Sequence, residues 1–203
     1  MNKALLFING EIPKSIPDFN YPYSIISCTD GAYTQYVYKY PIKINYISGD
    51  MDSISLPHIP QDIPFIITPD QNKTDFHKAL EILINKGIRE VDIWGASGKE
   101  SDHFIGNLST ALFFKNQIKI TFHDDYSIFF FTDKKTKLRG VKNKIISLIP
   151  FFETRGITTT GLQYPLNNDV LSFATRIGTR NRACLDEISV SYSQGELLIY
   201  IGK

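Results

Sequence analysis

The sequence of 203 residues has few of the features that identify a class of protein at once. It contains only two cysteines and one tryptophan, and its formal net charge is +1. A net charge near zero argues against a broad electrostatic surface, so neither nucleic acid nor a membrane is expected as a partner. Cys28 and Cys184 lie far apart and in no metal-ligand spacing. We therefore expect two buried free thiols and a cytoplasmic protein.

Long apolar runs and the common nucleotide and catalytic motifs are also missing. No stretch approaches the roughly 20 apolar residues that span a bilayer. The sequence has no G-x-x-x-x-G-K-[ST] loop, no G-x-G-x-x-G and no G-x-S-x-G, and its four histidines lack zinc-site spacing. With 42% hydrophobic and 21% charged residues, disordered and fibrous classes are excluded. The remaining possibilities are chemistry on a small molecule and binding of a neutral partner.

The two halves of the chain differ in pattern. In the first half, short apolar runs rich in β-branched residues are followed by helical patterns over Thr74–Lys86 and Asp102–Asn116. Most runs lack polar alternation, as is typical of strands buried on both faces of a parallel sheet. In the second half, no convincing helix separates the runs. We predict an α/β domain with an open, mostly parallel, Rossmann-like sheet over residues 1–124, and an antiparallel β-sandwich over residues 125–203.

The expected strands are short. In the first half they are Ala4–Asn9, Ser24–Cys28, Ile44–Ser48, Phe65–Thr68, Glu90–Trp94 and Lys119–His123. In the second half they are Ser127–Thr132, Lys144–Ile149, Gly156–Thr160, Val170–Phe173, Glu187–Tyr192 and Leu197–Ile201. Gly161–Leu166 and Gly178–Asn181 are expected to be loops, either ligand walls or ordinary turns.

Aspartates follow several strands of the first half. They are Asp30 after the second strand, Asp50 and Asp52 after the third, Asp75 after the fourth and Asp102 after the fifth. Because the carboxyl ends of parallel strands meet at one edge, these side chains are expected around a single crevice. Gathered carboxylates repel one another unless a cation neutralises them, and hard oxygen ligands suit Mg²⁺.

Each aspartate also has a simpler explanation. Asp30 precedes a glycine and can form a turn. Asp50 and Asp52 can lie in a solvated loop, while Asp75 and Asp102 can favour helix starts through the dipole. The repetition at four successive strand ends favours the shared crevice.

Phosphate binding is expected beside the aspartates. The segment Gly95-x-x-Gly98-Lys99 precedes a helix, so backbone N–H groups and the helix dipole favour an anion there. Lys73, Lys78 and Lys99 are candidate cations for phosphate, with a surface position as the simpler alternative.

Ordered motifs resemble a known family. In the first half they are Asp30-Gly31-Ala32, Gly49-Asp50-Met51-Asp52-Ser53, Asp70-Gln71-x-x-Thr74-Asp75-x-x-Lys78-Ala79-Leu80 and Gly95-Ala96-x-Gly98-x-x-x-Asp102-His103-x-x-x-Asn107. In the second half they are Thr159-Thr160-Gly161-Leu162-Gln163-Tyr164-Pro165-Leu166, Leu171-Ser172-Phe173 and Thr179-x-Asn181. Over about residues 30–200 the chain resembles thiamine pyrophosphokinase.

The resemblance implies an enzyme that moves the diphosphoryl group of ATP onto the hydroxyl of thiamine, giving thiamine diphosphate and AMP. It also implies a homodimer with the active site between subunits. Catalytic roles fall to Asp50, Asp52, Asp75 and Asp102, and Mg²⁺ ligation to Asp30, Asp50, Asp52 and Asp75. The expected ATP-binding residues are Asp30, Gln71, Thr74, Lys78, Gly95, Gly98 and Lys99. The expected thiamine-binding residues are Asp102, Thr179, Arg180 and Asn181.

Three positions depart from the family pattern. Ala32 stands where a second glycine after Asp-Gly is common, which is a small change. Glu100 stands where the family has an arginine, which leaves Lys99 as the nearby cation, and Arg180 stands where hydroxyl side chains are usual. Asp102 can orient the thiamine hydroxyl or accept its proton, and a metal-bound carboxylate is the alternative base. Two other functions remain open: another Mg²⁺-dependent phosphotransferase or phosphoesterase using the same aspartates, and a non-catalytic nucleotide-binding module.

Overall fold

The structure is a computed structural model that describes residues 2–14, 18–52 and 60–203. Ser53 of the third-strand motif lies outside the described residues. The chain divides into two compact units, Met1–Asp125 and Tyr126–Lys203. The first unit is α/β and the second is all-β.

Six strands and three α-helices are described in the first unit. The strands are β1 (Lys3–Phe7), β2 (Ile25–Thr29), β3 (Tyr46–Gly49), β4 (Phe65–Ile67), β5 (Glu90–Trp94) and β6 (Lys119–His123). The helices are α1 (Asp30–Gln35), α2 (Asp75–Asn85) and α3 (Ser101–Phe114), and a 3₁₀ turn covers Val37–Lys39. The strands pair in parallel in the order β4-β3-β2-β1-β5-β6, so their carboxyl ends share one edge.

Helices α2 and α3 confirm the two helical patterns to within two residues at each end. The apolar face of α2 is buried at Phe76, Leu80 and Leu83, as its spacing predicts. In α3 the prediction that Ile105 belongs to the buried face is wrong, because this side chain is 66% exposed. The buried stripe centres on Ala111, and Ile105 lies roughly 120° around the helix from it.

Helix α1 was not predicted from the sequence, where Asp30 was expected to begin a crevice loop or a turn. The six-residue helix follows β2 directly and buries Ala32 and Tyr33. The ring of Tyr36, its C-cap residue, meets Phe7 of β1 edge-on at a centroid distance of 6.1 Å. Packing against β1 therefore stabilises a helix that local propensity alone does not indicate.

The second unit contains seven described strands joined by antiparallel pairing. They are β7 (Ser127–Phe131), β8 (Lys135–Leu138), β9 (Ile145–Thr160), β10 (Asp169–Ser172), β11 (Gly178–Arg182), β12 (Ile188–Ser191) and β13 (Gln194–Gly202). Its core draws Ile146 and Ile157 from β9, Val190 from β12 and Ile199 from β13.

Two expectations for the second unit are wrong. The separate strands Lys144–Ile149 and Gly156–Thr160 form one 16-residue strand, β9. Gly156 adopts a φ of +68° within that strand, a conformation open to glycine at little cost. The predicted loop Gly178–Asn181 belongs to β11, which pairs with the first part of β9. Backbone hydrogen bonds to β9 therefore stabilise β11 as a strand, although its polar sequence does not predict one.

The two cysteines are both free, as expected. Cys28 is buried on β2, but Cys184 is exposed, so the prediction of two buried thiols is wrong for Cys184. Within the described part of the chain, none of the helices has both the length and the apolar character needed to cross a membrane.

Candidate active site

A cleft of about 580 Å³ opens in the first unit at the carboxyl ends of the strands. Among the sequence-predicted residues, its walls include Asp50, Asp52, Gln71, Thr74, Asp75, Lys78, Gly98, Lys99 and Asp102. The strand-end geometry therefore brings most of the first-half candidates to one place. Asp30 lies beside this group as a buried residue rather than in the cleft wall.

Asp30 begins α1 and is only 1% exposed. Its Oδ1 accepts a hydrogen bond of 2.8 Å from the backbone N–H of Gly31. Its Oδ2 is buried and has no hydrogen-bond partner among the described residues. Burial raises the pKa of Asp30 against the effect of the backbone N–H groups of Gly31 and Met51, and the charges of Asp75 and Asp52 raise it further. The site thus concentrates negative charge around a buried oxygen.

Asp50 follows β3 and is held by a neighbouring amide. Gln71 donates from Nε2 to Asp50 Oδ2 at 2.9 Å, and the backbone N–H of Asp52 donates to Asp50 Oδ1 at 3.3 Å. The Gln71 hydrogen bond, with smaller contributions from Asp52 and Lys78, lowers the pKa of Asp50. Asp50 is therefore stabilised as a carboxylate, with Gln71 as a residue that orients it.

Asp75 and Lys78 occupy the first turn of α2. The hydroxyl of Thr74 accepts a hydrogen bond of 3.2 Å from the His77 N–H, so Thr74 caps the helix. Lys78 is three residues after Asp75, a spacing that places both on one helix face. Its Nζ lies 2.8 Å from Asp75 Oδ1 and 4.0 Å from Asp50 Oδ2.

The Gly95–Gly98 segment connects β5 to α3. Gly95 and Gly98 have φ values of +78° and +76°. A Cβ at Gly95 would lie 2.1 Å from the carbonyl oxygen of Ile8, so a side chain is excluded there. Asn107 of α3 donates to the Ala96 carbonyl at 2.9 Å and ties the segment to the helix. These contacts fix the backbone in front of the helix start, where an anion is favoured.

Three residues that the sequence reasoning missed also line the cleft: Asn9, Gly10 and Gln35. Lys99 Nζ donates to Asn9 Oδ1 at 2.8 Å and to the Asn9 carbonyl at 3.2 Å, and it also donates to Gln35 Oε1. Burial lowers the pKa of Lys99. The position of Asn9-Gly10 after β1 could have indicated these residues. The carboxyl end of β1 lies at the same edge of the sheet as those of the strands that carry the aspartates.

Glu100, Asp102 and His103 lie together at the start of α3 and are all exposed. Asp102 lies in the first turn, where its Oδ1 accepts a hydrogen bond of 2.9 Å from the His103 N–H. Glu100 occupies the N-cap position without a side-chain capping bond. The carboxylate of Asp102 thus borders the cleft from the helix side.

The clustered carboxylates of Asp30, Asp50 and Asp52 fit a divalent cation. One oxygen each from Asp30, Asp50 and Asp52 lies within 4.8 Å of the others. The buried oxygen of Asp30 lacks a partner within residues 2–14, 18–52 and 60–203. Hard anionic oxygens are the ligands that Mg²⁺ prefers. Asp75, the fourth predicted ligand, is linked to this group through Lys78.

The remaining candidates, Thr179, Arg180 and Asn181, belong to β11 of the second unit. Asn181 binds both backbone groups of Tyr164: its Oδ1 accepts from Tyr164 N at 3.1 Å, and its Nδ2 donates to Tyr164 O at 2.7 Å. Arg180 has a φ of +55°, and its N–H donates to Ser147 Oγ at 2.9 Å. Asn181 thereby positions an aromatic ring that is 66% exposed.

Both units match sequence families of known proteins. Residues 18–122 match the family described as thiamin pyrophosphokinase, catalytic domain. Residues 132–197 match the family described as thiamin pyrophosphokinase, vitamin B1 binding domain.

Individual relatives agree with these matches. Thiamine pyrophosphokinase 3 of Oryza sativa subsp. japonica is 28% identical in a 209-residue alignment that covers 88% of this chain and 78% of the relative. Thiamine pyrophosphokinase of Bacillus subtilis (strain 168) is 29% identical over 160 residues, which cover 74% and 75%. The crystal structure of thiamine pyrophosphokinase from Bacillus subtilis shares the fold, with a TM-score of 0.84 at 22% identity and coverage of 98% and 99%. On the two family matches, the chain belongs to the thiamin pyrophosphokinase family.

Proposed function

We propose that this chain transfers the diphosphoryl group of ATP to the hydroxyl of thiamine and releases thiamine diphosphate and AMP. The observation that carries the proposal is the gathering of Asp30, Asp50 and Asp52 in the unit that matches the family's catalytic domain. A cluster of this kind suits a reaction in which phosphate charge must be neutralised.

In this proposal Asp30, Asp50 and Asp52 would hold Mg²⁺, with Asp75 as the fourth ligand. When bound, the ion would neutralise charge on the phosphates of ATP. Gln71 keeps Asp50 oriented through its 2.9 Å hydrogen bond. The chain's own contribution is to hold carboxylates in position before the substrate arrives, which is the main part of catalysis that a protein supplies in phosphoryl transfer.

ATP would lie along the cleft against Gln71, Thr74, Gly95, Gly98 and Lys99, with Asp30 beneath it. The fixed backbone of Gly95–Gly98 offers N–H groups to phosphate at the start of α3. Lys99 supplies the cation on this side, in place of the arginine that Glu100 replaces. Lys78 is also assigned to ATP by the sequence motif, although its ammonium is directed to carboxylates.

Thiamine would contact Asp102 in the first unit and Thr179, Arg180 and Asn181 in the second. We place Asp102 where it can orient the thiamine hydroxyl or accept its proton. We further propose that the protein is a cytoplasmic homodimer with its active site between subunits. The second unit, an antiparallel β-sandwich in this proposal, would carry thiamine recognition, and the open, mostly parallel first unit would carry ATP and Mg²⁺.

Product analysis tests the reaction. The full chain incubated with ATP, Mg²⁺ and thiamine should give AMP and thiamine diphosphate in equal amounts. ADP as the product would indicate a simple kinase, and thiamine-independent release of phosphate would indicate a phosphoesterase. Nucleotide binding without turnover would indicate a non-catalytic module. Each of these outcomes contradicts the proposal, and omission of thiamine is the internal control.

A further inference from the structure

Lys78 places a buried cation among the aspartates of the cleft. Its side chain is 6% exposed, although lysine is rarely buried to this extent unless it is paired. Nζ forms an ion pair of 2.8 Å with Asp75 and donates a hydrogen bond of 2.9 Å to the Thr68 carbonyl. It also lies 4.0 Å from Asp50 Oδ2.

These contacts use much of the hydrogen-bonding capacity of Lys78. An ammonium has three N–H donors and no acceptor, and two of them are directed at Asp75 and Thr68. One N–H donor remains, and the Asp50 carboxylate, 4.0 Å away, is already within ion-pair distance of Nζ. The geometry therefore favours a role toward the aspartates over a direct contact with ATP.

We propose that Lys78 is the internal counter-cation of the aspartate cluster: a positioning residue that holds Asp50 and Asp75 in the absence of a divalent metal and competes with the metal for them. The inference rests on the proposed function, because it takes the cluster to be the metal site. The sequence-based assignment of Lys78 to ATP differs, because it predicts no effect of this residue on metal affinity in the absence of nucleotide.

The proposal has two consequences with opposite signs. Without metal, loss of the ammonium leaves the partly buried carboxylates of Asp50 and Asp75 uncompensated, so the metal-free protein is destabilised. With metal, the same loss removes a like charge beside the incoming ion, so the metal binds more tightly. A residue with a merely structural role would lower stability equally in both states.

The test uses the full chain stripped of metal, with Mn²⁺ and Mg²⁺ alone as probes and no nucleotide. For Lys78→Met we expect the Mn²⁺ dissociation constant to fall on the order of tenfold. We expect the melting temperature of the metal-free variant to drop by several degrees, with most of that loss recovered in saturating Mg²⁺. Lys78→Gln, which keeps a donor but no charge, should behave like Lys78→Met. Lys78→Arg, which keeps the charge, should stay close to the wild type.

Lys73→Met is the matched control. Lys73 also lines the cleft, but its Nζ pairs with Glu81 at 2.8 Å and not with the cluster. Its Mn²⁺ affinity should therefore be unchanged. Unaltered Mn²⁺ affinity in Lys78→Met, with a higher KM for ATP, would overturn the inference in favour of a phosphate contact. A Lys78→Met chain that stays unfolded in saturating Mg²⁺ would overturn it in favour of a structural role.

The wild-type titration separates this inference from the proposed function. If the wild type binds neither Mn²⁺ nor Mg²⁺, the metal site of the proposed function fails and the inference fails with it. If the wild type binds metal and the variants at Lys78 bind it equally well, only the inference fails.

Discussion

The carboxylate of Asp30 fills the space that a side chain at Gly49 would need. A Cβ at position 49 would lie 2.3 Å from Asp30 Oδ2, a distance that side chains do not tolerate. Gly49 is the last residue of β3 and precedes Asp50, so one small residue allows two of the clustered aspartates to come together.

Gly49→Ala should displace Asp30 from the cluster. We expect thiamine-dependent AMP formation to fall about 100-fold, because a displacement of about 1 Å costs that much in a positioned site. Steady-state assays with circular dichroism as a folding check measure the effect. Gly202→Ala, where a Cβ would lie 3.4 Å from Ile145 Cβ, is the control. Wild-type turnover in Gly49→Ala would contradict the proposed position of Asp30.

Asp52→Ala and Asp75→Ala should each lower AMP formation to a small fraction of the wild-type rate while the fold is retained. Removal of a group that stabilises transition-state charge typically costs on the order of 10²–10³ in kcat. Asp62→Ala, at an exposed aspartate of the same unit, removes the same charge and should keep full activity. Near-normal turnover in either cluster variant would refute the metal assignment.

Asp92 should make the first unit sensitive to acid. Its carboxylate lies 2.7 Å from Lys3 Nζ and 3.2 Å from His123 Nε2, and it accepts a hydrogen bond of 2.8 Å from Tyr23. Burial alone would raise the pKa of Asp92, but His123, Lys3 and Tyr23 outweigh burial and lower it. The network thus stabilises the first unit at pH values above about 3.9, the pKa of aspartate in the unfolded chain. This contribution is lost as the pH falls through the lower pKa of Asp92 in the folded state.

The variant Asp92→Asn measures this contribution. At neutral pH it should reduce the free energy of unfolding by about 3 kcal/mol, and the difference from the wild type should shrink below about pH 4. Trp94, the single tryptophan, stacks on His123 at a centroid distance of 5.4 Å, so its fluorescence reports urea unfolding of this unit. Glu90→Gln, at a 3.9 Å pair with Lys119, should cost less than about 1 kcal/mol. A pH-independent difference for Asp92→Asn would contradict the network's role.

Asn181→Ala should weaken thiamine recognition through Tyr164. Because both amide contacts to the Tyr164 backbone are lost, we expect the KM for thiamine to rise roughly tenfold while the KM for ATP is unchanged. Asn167→Ala removes the same side chain from an exposed position of the second unit and should change neither constant. An equal rise in both KM values would argue against a thiamine-specific role for Asn181.

Gly106→Ala should stabilise the protein. A Cβ at this position in α3 would meet nothing within 4 Å, and alanine favours a helix over glycine by about 0.5–1 kcal/mol. We expect the melting temperature to rise by about 2–4 °C. Gly95→Ala is the opposite case and should cost about 3 kcal/mol, since a side chain there meets the Ile8 carbonyl. A destabilised Gly106→Ala would show that the helix surface at this position is not open.

Local signals in the sequence were sufficient to predict helix α2 and the aspartate cluster. The buried face of α2 repeats within a few residues, and Thr74 caps it from the adjacent position. Asp30, Asp50 and Asp52 could be placed together because parallel strands bring their carboxyl ends to one edge, whatever the connecting loops contain.

Contacts between distant residues were not predictable in this way. Asn9 and Lys99 are 90 positions apart, and only the folded sheet shows that the lysine is held there. The sequence Gly-Thr-Arg-Asn-Arg of β11 has no apolar alternation, so the strand depends on its pairing with β9. The partner of Lys78 could not be chosen from spacing alone, since a lysine beside a phosphate cleft suits either ATP or a carboxylate.

Strand β9 makes the second unit a single cooperative structure. Its first part pairs with β11 and β13, and its later part pairs with β10 and β12, so four strands form hydrogen bonds to one segment. These neighbouring strands cannot detach without breaking their hydrogen bonds to β9. Amide protons in the middle of β9 should consequently exchange with solvent only when the entire unit unfolds, which sets its local opening energy equal to its global stability.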